Sequence, residues 1–187
     1  MKLKYNAPTV LTFTFLSAAI LVLSLTVFPY LTENWFLIRG RGSFIPSRLN
    51  SWVTLFTHVM GHANWNHFLS NFAFILLIGP ILEEHYGSLS LLVMIVITAF
   101  VTGILNLLLF PTGLLGSSGV VFMMILLASF TNINKGEIPL TFILILILYL
   151  GREFLDSFSN NNISQFTHMV GGFCGSLFGF FKPYKGK

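Results

Sequence analysis

The chain has 187 residues, room for one domain; 55% of them are hydrophobic and only 9% are charged. A soluble domain carries about 25% charged residues, so lipid is the expected solvent for most of this surface. The formal charge of +4 is spread over scattered Lys and Arg with no basic stripe, which excludes a nucleic-acid partner, and the one cysteine, Cys174, excludes an internal disulfide.

A helix needs roughly 20 apolar residues to cross the hydrocarbon layer. Residues 10–31 supply the first candidate. Lys2 and Lys4 precede it, but the run ends in Phe28-Pro29-Tyr30 with no small-x-small cleavage site, so it reads as a retained span rather than a signal peptide. Residues 32–51 read as a long loop. Its Trp35, Phe36 and Phe44 mixed with Arg39, Arg41 and Arg48 suit the headgroup region. Residues 68–82 form a second span, interrupted by Asn71, Gly79 and Pro80, and Glu83-Glu84 open a tight charged turn after it. Residues 89–110 are a third span, 118–130 a short fourth, 138–155 a fifth and 166–181 a glycine-rich sixth. Six spans put both termini on one side. That side holds Lys2, Lys4, Lys135, Lys182, Lys185 and Lys187 against Arg39, Arg41, Arg48 and Arg152 opposite, a bias toward cytoplasmic termini. The expectation is an all-α membrane protein with one six-span domain over residues 1–187 and a core at about 50–182.

Polar residues inside spans are costly and tend to mark function. Ser118 lies in Gly116-Ser117-Ser118-Gly119, after the turn signals Pro111, Thr112 and Gly113. A short helix starting there sits below the membrane face, where non-helical backbone is tolerated only against protein or a wet cavity. Its free N–H groups and positive dipole end favour a developing oxyanion. Taken alone, the motif reads as a Gly/Ser packing contact, since short Gly/Ser motifs are frequent where helices approach closely. His168 opens the sixth span, three residues before Gly171; Gly171, Gly175 and Gly179 recur every fourth position and let another helix approach closely. Such an approach brings a serine hydroxyl within reach of the imidazole, and an alcohol needs a positioned base to become a nucleophile.

The third cluster holds His58, His62, His67 and Asn71. His67 and Asn71 are at i and i+4, on one helix face, so both can donate to an oxyanion from the same side. His58 and His62 precede the span and can orient the loop. The rival chemistry is a zinc or copper site on His58, His62 and His67, with no Asp, Glu or Cys ligand beside them in the sequence. The carboxylates Glu33, Glu83, Glu84, Glu137, Glu153 and Asp156 all avoid the middle of a span, which favours a Ser–His dyad over a triad and no cofactor or metal.

In order and span assignment these residues resemble the rhomboid family of intramembrane serine proteases: a His-rich entry to the second span, Gly116-Ser117-Ser118-Gly119 opening the fourth, and His168 followed by Gly171 and Gly175 in the sixth. The resemblance implies a six-helix bundle with a hydrated active site. It implies Ser118 as nucleophile, His168 as base and then acid, and an oxyanion hole from His67, Asn71 and the Ser118 N–H. It further implies transmembrane protein substrates entering past the second and fifth helices, with residues 156–165 as a cap. Two positions depart from the pattern: Thr54 stands where many relatives have Arg, and Phe122 where many have a Tyr that stacks on the catalytic histidine. Two other readings stand beside the protease: a silent rhomboid-like protein that binds membrane clients, and the His-rich metal binder. The short ends suit a bacterial plasma membrane, and oligomeric state and natural substrate are left open.

Overall fold

The structure, a computed structural model, describes residues 4–130 and 162–181, together with helical positions Leu140, Ile143, Leu144 and Ile147. The described residues are helical apart from loops and one isolated antiparallel bridge, Ile38 with Leu114. In chain order the helices are α1 (Pro8–Thr26), α2 (Leu31–Trp35), α3 (Leu49–Thr57) with a 3₁₀ turn at His58–Met60, α4 (Trp65–Tyr86), α5 (Ser88–Leu109), α6 (Ser118–Phe130) and α7 (Asn162–Phe181).

Three of these, α1, α4 and α5, are long and apolar enough to cross a membrane; α6 and the apolar stretch Phe166–Phe181 are shorter. The outward side chains of α4 and α5 are large and apolar, with Leu77, Ile81 and Leu89 more than 60% exposed. Water would penalise that surface, and lipid does not. The chain is therefore an integral membrane protein.

Helix ends are satisfied locally or by neighbours. Pro8 opens α1, where its missing N–H costs nothing, but Ala7 offers no capping oxygen. The Glu83 carboxylate takes that role from α4, accepting from the N–H groups of Thr9 at 2.8 Å and Val10 at 3.0 Å. Asn64 caps α4 by accepting from the His67 N–H at 2.9 Å. Gly87, with φ +85°, lets α5 turn straight back after α4. The end of α1, the start of α4 and the end of α5 thus share one end of the bundle, where the loops carrying the site residues gather.

Helix α6 is apolar all round, and Val120 to Leu127 are all buried, so it is the interior helix of the bundle. Its most extensive partner is α7. A Cβ placed on Gly171 would collide with the Gly119 carbonyl, and one on Gly175 with the Met123 carbonyl. The four-residue glycine spacing therefore brings the two backbones into contact.

Several expected boundaries move. The loop expected over 32–51 contains α2 and the start of α3, a short helix whose Thr54 and Leu55 turn inward. Helix α4 runs through Glu83 and Glu84 to Tyr86, so these are its last turn and not a charged loop. The helix expected from 166 begins at Asn162, which shortens the expected cap. Most of the expected fifth span, 138–155, and cap residues 156–161 lie outside the described residues.

Two layers of loop close the site end. Ile38 and Leu114 exchange backbone hydrogen bonds at 3.1 and 2.8 Å, and the Arg41 N–H donates to Phe110 O at 2.6 Å. The Trp52 indole N–H donates to Pro46 O at 3.0 Å, and its ring meets Phe44 edge-on at 4.9 Å. The first loop is thereby anchored without an arginine at position 54.

Candidate active site

The turn Gly116–Gly119 is held from two sides. On one side stands the His-rich segment. Gly116 has φ +110°, and a Cβ there would lie 2.6 Å from Cε1 and Nε2 of His67 and 3.8 Å from Nδ2 of Asn71. The imidazole and the amide therefore rest against the backbone just ahead of Ser118. Asn71 is 7% exposed and spends one amide hydrogen on its own helix, donating to His67 O at 3.0 Å; geometry leaves the second for another acceptor. Ser118 is the first residue of α6, so its N–H has no acceptor within that helix.

On the other side stands α7. The His168 ring stacks on Phe122 with centroids 4.2 Å apart and planes 6° from parallel. Phe122 follows Ser118 by one helical turn and so shares its face. The Thr167 Cγ2 would touch a Cβ on Gly119 at 3.1 Å, and Gly171 meets the Gly119 carbonyl. These contacts set the register of α7 so that His168 lies along the face that begins with Ser118.

A residue that the sequence reading passed over completes the turn. Ser117 is fully buried, while Ser118 and His168 are partly open. The Ser117 hydroxyl lies 3.2 Å from Nε2 of His62, whose Nδ1 lies 3.3 Å from Met60 O. A carbonyl only accepts, so Nδ1 carries the proton and Nε2 accepts from the Ser117 hydroxyl. Burial, with His67 beside it, lowers the His62 pKa from 6.5 to about 4, which keeps the ring neutral near pH 7. The His62 ring meets His67 edge-on at 4.9 Å and so backs the side chain that rests on Gly116.

His58 ties the same turn to α5. Its Nδ1 donates to Thr54 O at 3.1 Å, its Nε2 lies 3.3 Å from Thr102 Oγ1, and its carbonyl accepts the Gly116 N–H at 3.0 Å. Burial lowers its pKa to about 4. Asn106, 1% exposed, donates to Thr112 O at 3.1 Å and fixes the start of the loop. A polar residue in the most apolar span was the available signal for Asn106; a serine doublet ahead of a helix was the signal for Ser117. The three histidines do not converge: His58 turns to Thr102, and His62 to Ser117. Among the described residues no group of three His, Cys, Asp or Glu is placed to hold a metal ion.

The arrangement sets a partly open hydroxyl one helical turn from the Phe122 ring on which a partly open imidazole stacks, with His67 and Asn71 across the turn. A profile of the Rhomboid domain matches residues 49–185. The chain belongs to the rhomboid family. The rhomboid match contains every residue of the site, from His58 to His168. A curated relative, Rhomboid-like protein 11, chloroplastic, of Arabidopsis thaliana, is 30% identical over 96 residues. That alignment covers 50% of this rhomboid chain and 34% of the relative, so the chain matches about a third of the relative's length.

Proposed function

We propose that this rhomboid is an intramembrane serine endopeptidase working through a Ser118–His168 dyad. The observation that carries the reading is the stack of His168 on Phe122, one turn from a half-open Ser118 at a helix N-terminus. His168 takes the proton from the Ser118 hydroxyl as the oxygen attacks a peptide carbonyl. The tetrahedral oxyanion accepts hydrogen bonds from the Ser118 N–H, the second Asn71 N–H and His67. His168 then returns the proton to the leaving amine, and water releases the acyl group by the reverse sequence. The stack on Phe122 fixes the imidazole plane without a hydroxyl to compete for its nitrogens.

On this reading the whole chain is one six-span bundle with the fifth span between α6 and α7. Its substrates are transmembrane proteins, whose helices must unwind locally to present an extended bond. Both termini lie on the cytoplasmic side of a bacterial-type plasma membrane.

The test is cleavage of a model transmembrane substrate in liposomes. Wild type should cut; Ser118→Ala and His168→Ala should insert and fold but not cut. A fluorophosphonate should label wild type and not Ser118→Ala. A folded wild-type chain that captures transmembrane segments but neither cuts nor labels would establish the client-binding reading instead.

A further inference from the structure

The first loop encloses a concavity separate from the turn at Ser118. It is a cleft of about 260 Å³ between the loop, α3 and the end of α5. Arg39, Arg48, Asn50 and Ser51 line it with hydrogen-bond donors, and Glu33 is its one acidic lining residue. Two guanidinium groups against one carboxylate leave a formal charge of +1 in a space that also contains Leu37, Phe44 and Ile45. Arg39 and Arg48 are exposed, and neither forms an ion pair with a described residue. Unpaired guanidinium forks are geometrically matched to phosphate oxygens.

The position of the cleft says where the phosphate comes from. The loop closes the bundle end at which α1 and α5 finish, so it lies at the depth of lipid headgroups. Its rim exposes Tyr30, Trp35, Leu49 and Trp52, the mix of amphipathic rings and aliphatic side chains that belongs at that depth. Apolar lining beside the arginines gives the first carbons of an acyl chain or glycerol backbone a place to rest.

We propose that this cleft binds the phosphodiester headgroup of a phospholipid from the leaflet on the Ser118 side, with Arg39 and Arg48 as its ligands. The inference does not depend on proteolysis. A bound headgroup bridges α3 to the loop, and the loop is bonded to residues 110–114 ahead of Ser118 through Ile38 and Arg41. The lipid thereby braces the layer over the site.

The test titrates the full chain in neutral detergent with dioleoyl phosphatidylglycerol and counts adducts by native mass spectrometry. Wild type should hold one lipid that Arg39→Gln/Arg48→Gln binds at least tenfold more weakly. Arg41→Gln, whose side chain lies outside the cleft lining, should match wild type. Glu33→Gln, which removes the opposing charge and leaves both arginines, should bind about threefold more tightly, and it guards against the double variant failing to fold. Dioleoylglycerol, with the same chains and no phosphate, should give no adduct. Inorganic phosphate at millimolar concentration should fail to displace the lipid. Equal phosphatidylglycerol binding by wild type, the double variant and Glu33→Gln would overturn the proposal. So would binding of inorganic phosphate without the lipid, or equal binding of dioleoylglycerol.

Discussion

Ser117 and Ser118 are neighbours in the chain and opposites in environment. Ser117 faces the His-rich segment, is fully buried and donates a hydrogen bond from its hydroxyl to Nε2 of His62 at 3.2 Å. Ser118 faces α7, is partly open and lies on the face that carries the Phe122–His168 stack. Each serine thus has an imidazole on its own side of the turn. A buried hydroxyl locked to a ring whose other nitrogen is held by a carbonyl has no path to substrate. The comparison teaches that a serine near a histidine is not yet a catalytic pair; accessibility and the histidine's other partners decide.

The sharpest way to break this comparison is to delete each hydroxyl in turn. Ser118→Ala should reduce cleavage to background. Ser117→Ala should keep cleavage and lose stability, because His62 Nε2 is left buried without its donor, at a cost of about 1–3 kcal/mol. The two are compared by turnover in liposomes and by unfolding in detergent. If Ser117→Ala abolishes turnover in a folded protein while Ser118→Ala does not, the roles are reversed.

The donors across the turn come next. Asn71→Ala should lower turnover by about ten- to a thousandfold with little change in substrate affinity, as for a lost oxyanion donor. Unchanged turnover would remove Asn71 from the hole.

The glycine contact offers a graded version of the same contrast. Gly171→Ala pushes a methyl into the Gly119 carbonyl and must separate α6 from α7, costing about 1–3 kcal/mol or more and misplacing His168. Gly172→Ala, one position along, meets only Leu126 side-chain atoms at 3.5 Å, an ordinary contact, and should be near neutral. Thermal unfolding and turnover of the two variants check this, and similar losses in both would mean that the α6–α7 contact is not backbone on backbone.

The smallest expected effect is on pH dependence. His58 and His62 lie between the long spans and have pKa values lowered to about 4 by burial, against 6.5 unperturbed. Between those values the unfolded chain binds protons that the folded chain refuses, so stability falls as pH falls from about 6.5 toward 4 and levels off below. Two such groups give a slope of at most roughly 3 kcal/mol per pH unit. Replacing His62 with Asn should flatten that slope by about half; a slope unaffected by the substitution would assign it to other groups.

Much of the site was legible in the sequence because its chemistry is local. Ser118 follows turn residues and opens an apolar run; His67 and Asn71 are four apart; Gly171 and Gly175 repeat on one face. Helical periodicity turns each of these spacings into a face before any tertiary contact exists. The missing elements were those whose meaning comes from a distant partner. Glu83 reads as a loop charge until α1 is found presenting unpaired N–H groups to it. Helix α3 is too short to stand out from its aromatic surroundings, and only its packing against α5 gives its pattern a direction.

What the sequence determined by itself was the solvent and the inventory: a lipid-facing helical chain, and a serine, two histidines and an asparagine in spans where polarity is costly. What only the tertiary structure decided was which side of the turn each histidine occupies. Adjacent residues at a helix start point to different sides of the helix, and periodicity cannot say what occupies either side. Here the approach of α7, set by glycine backbone contact, brings His168 to the Ser118 side and leaves His62 to hold Ser117.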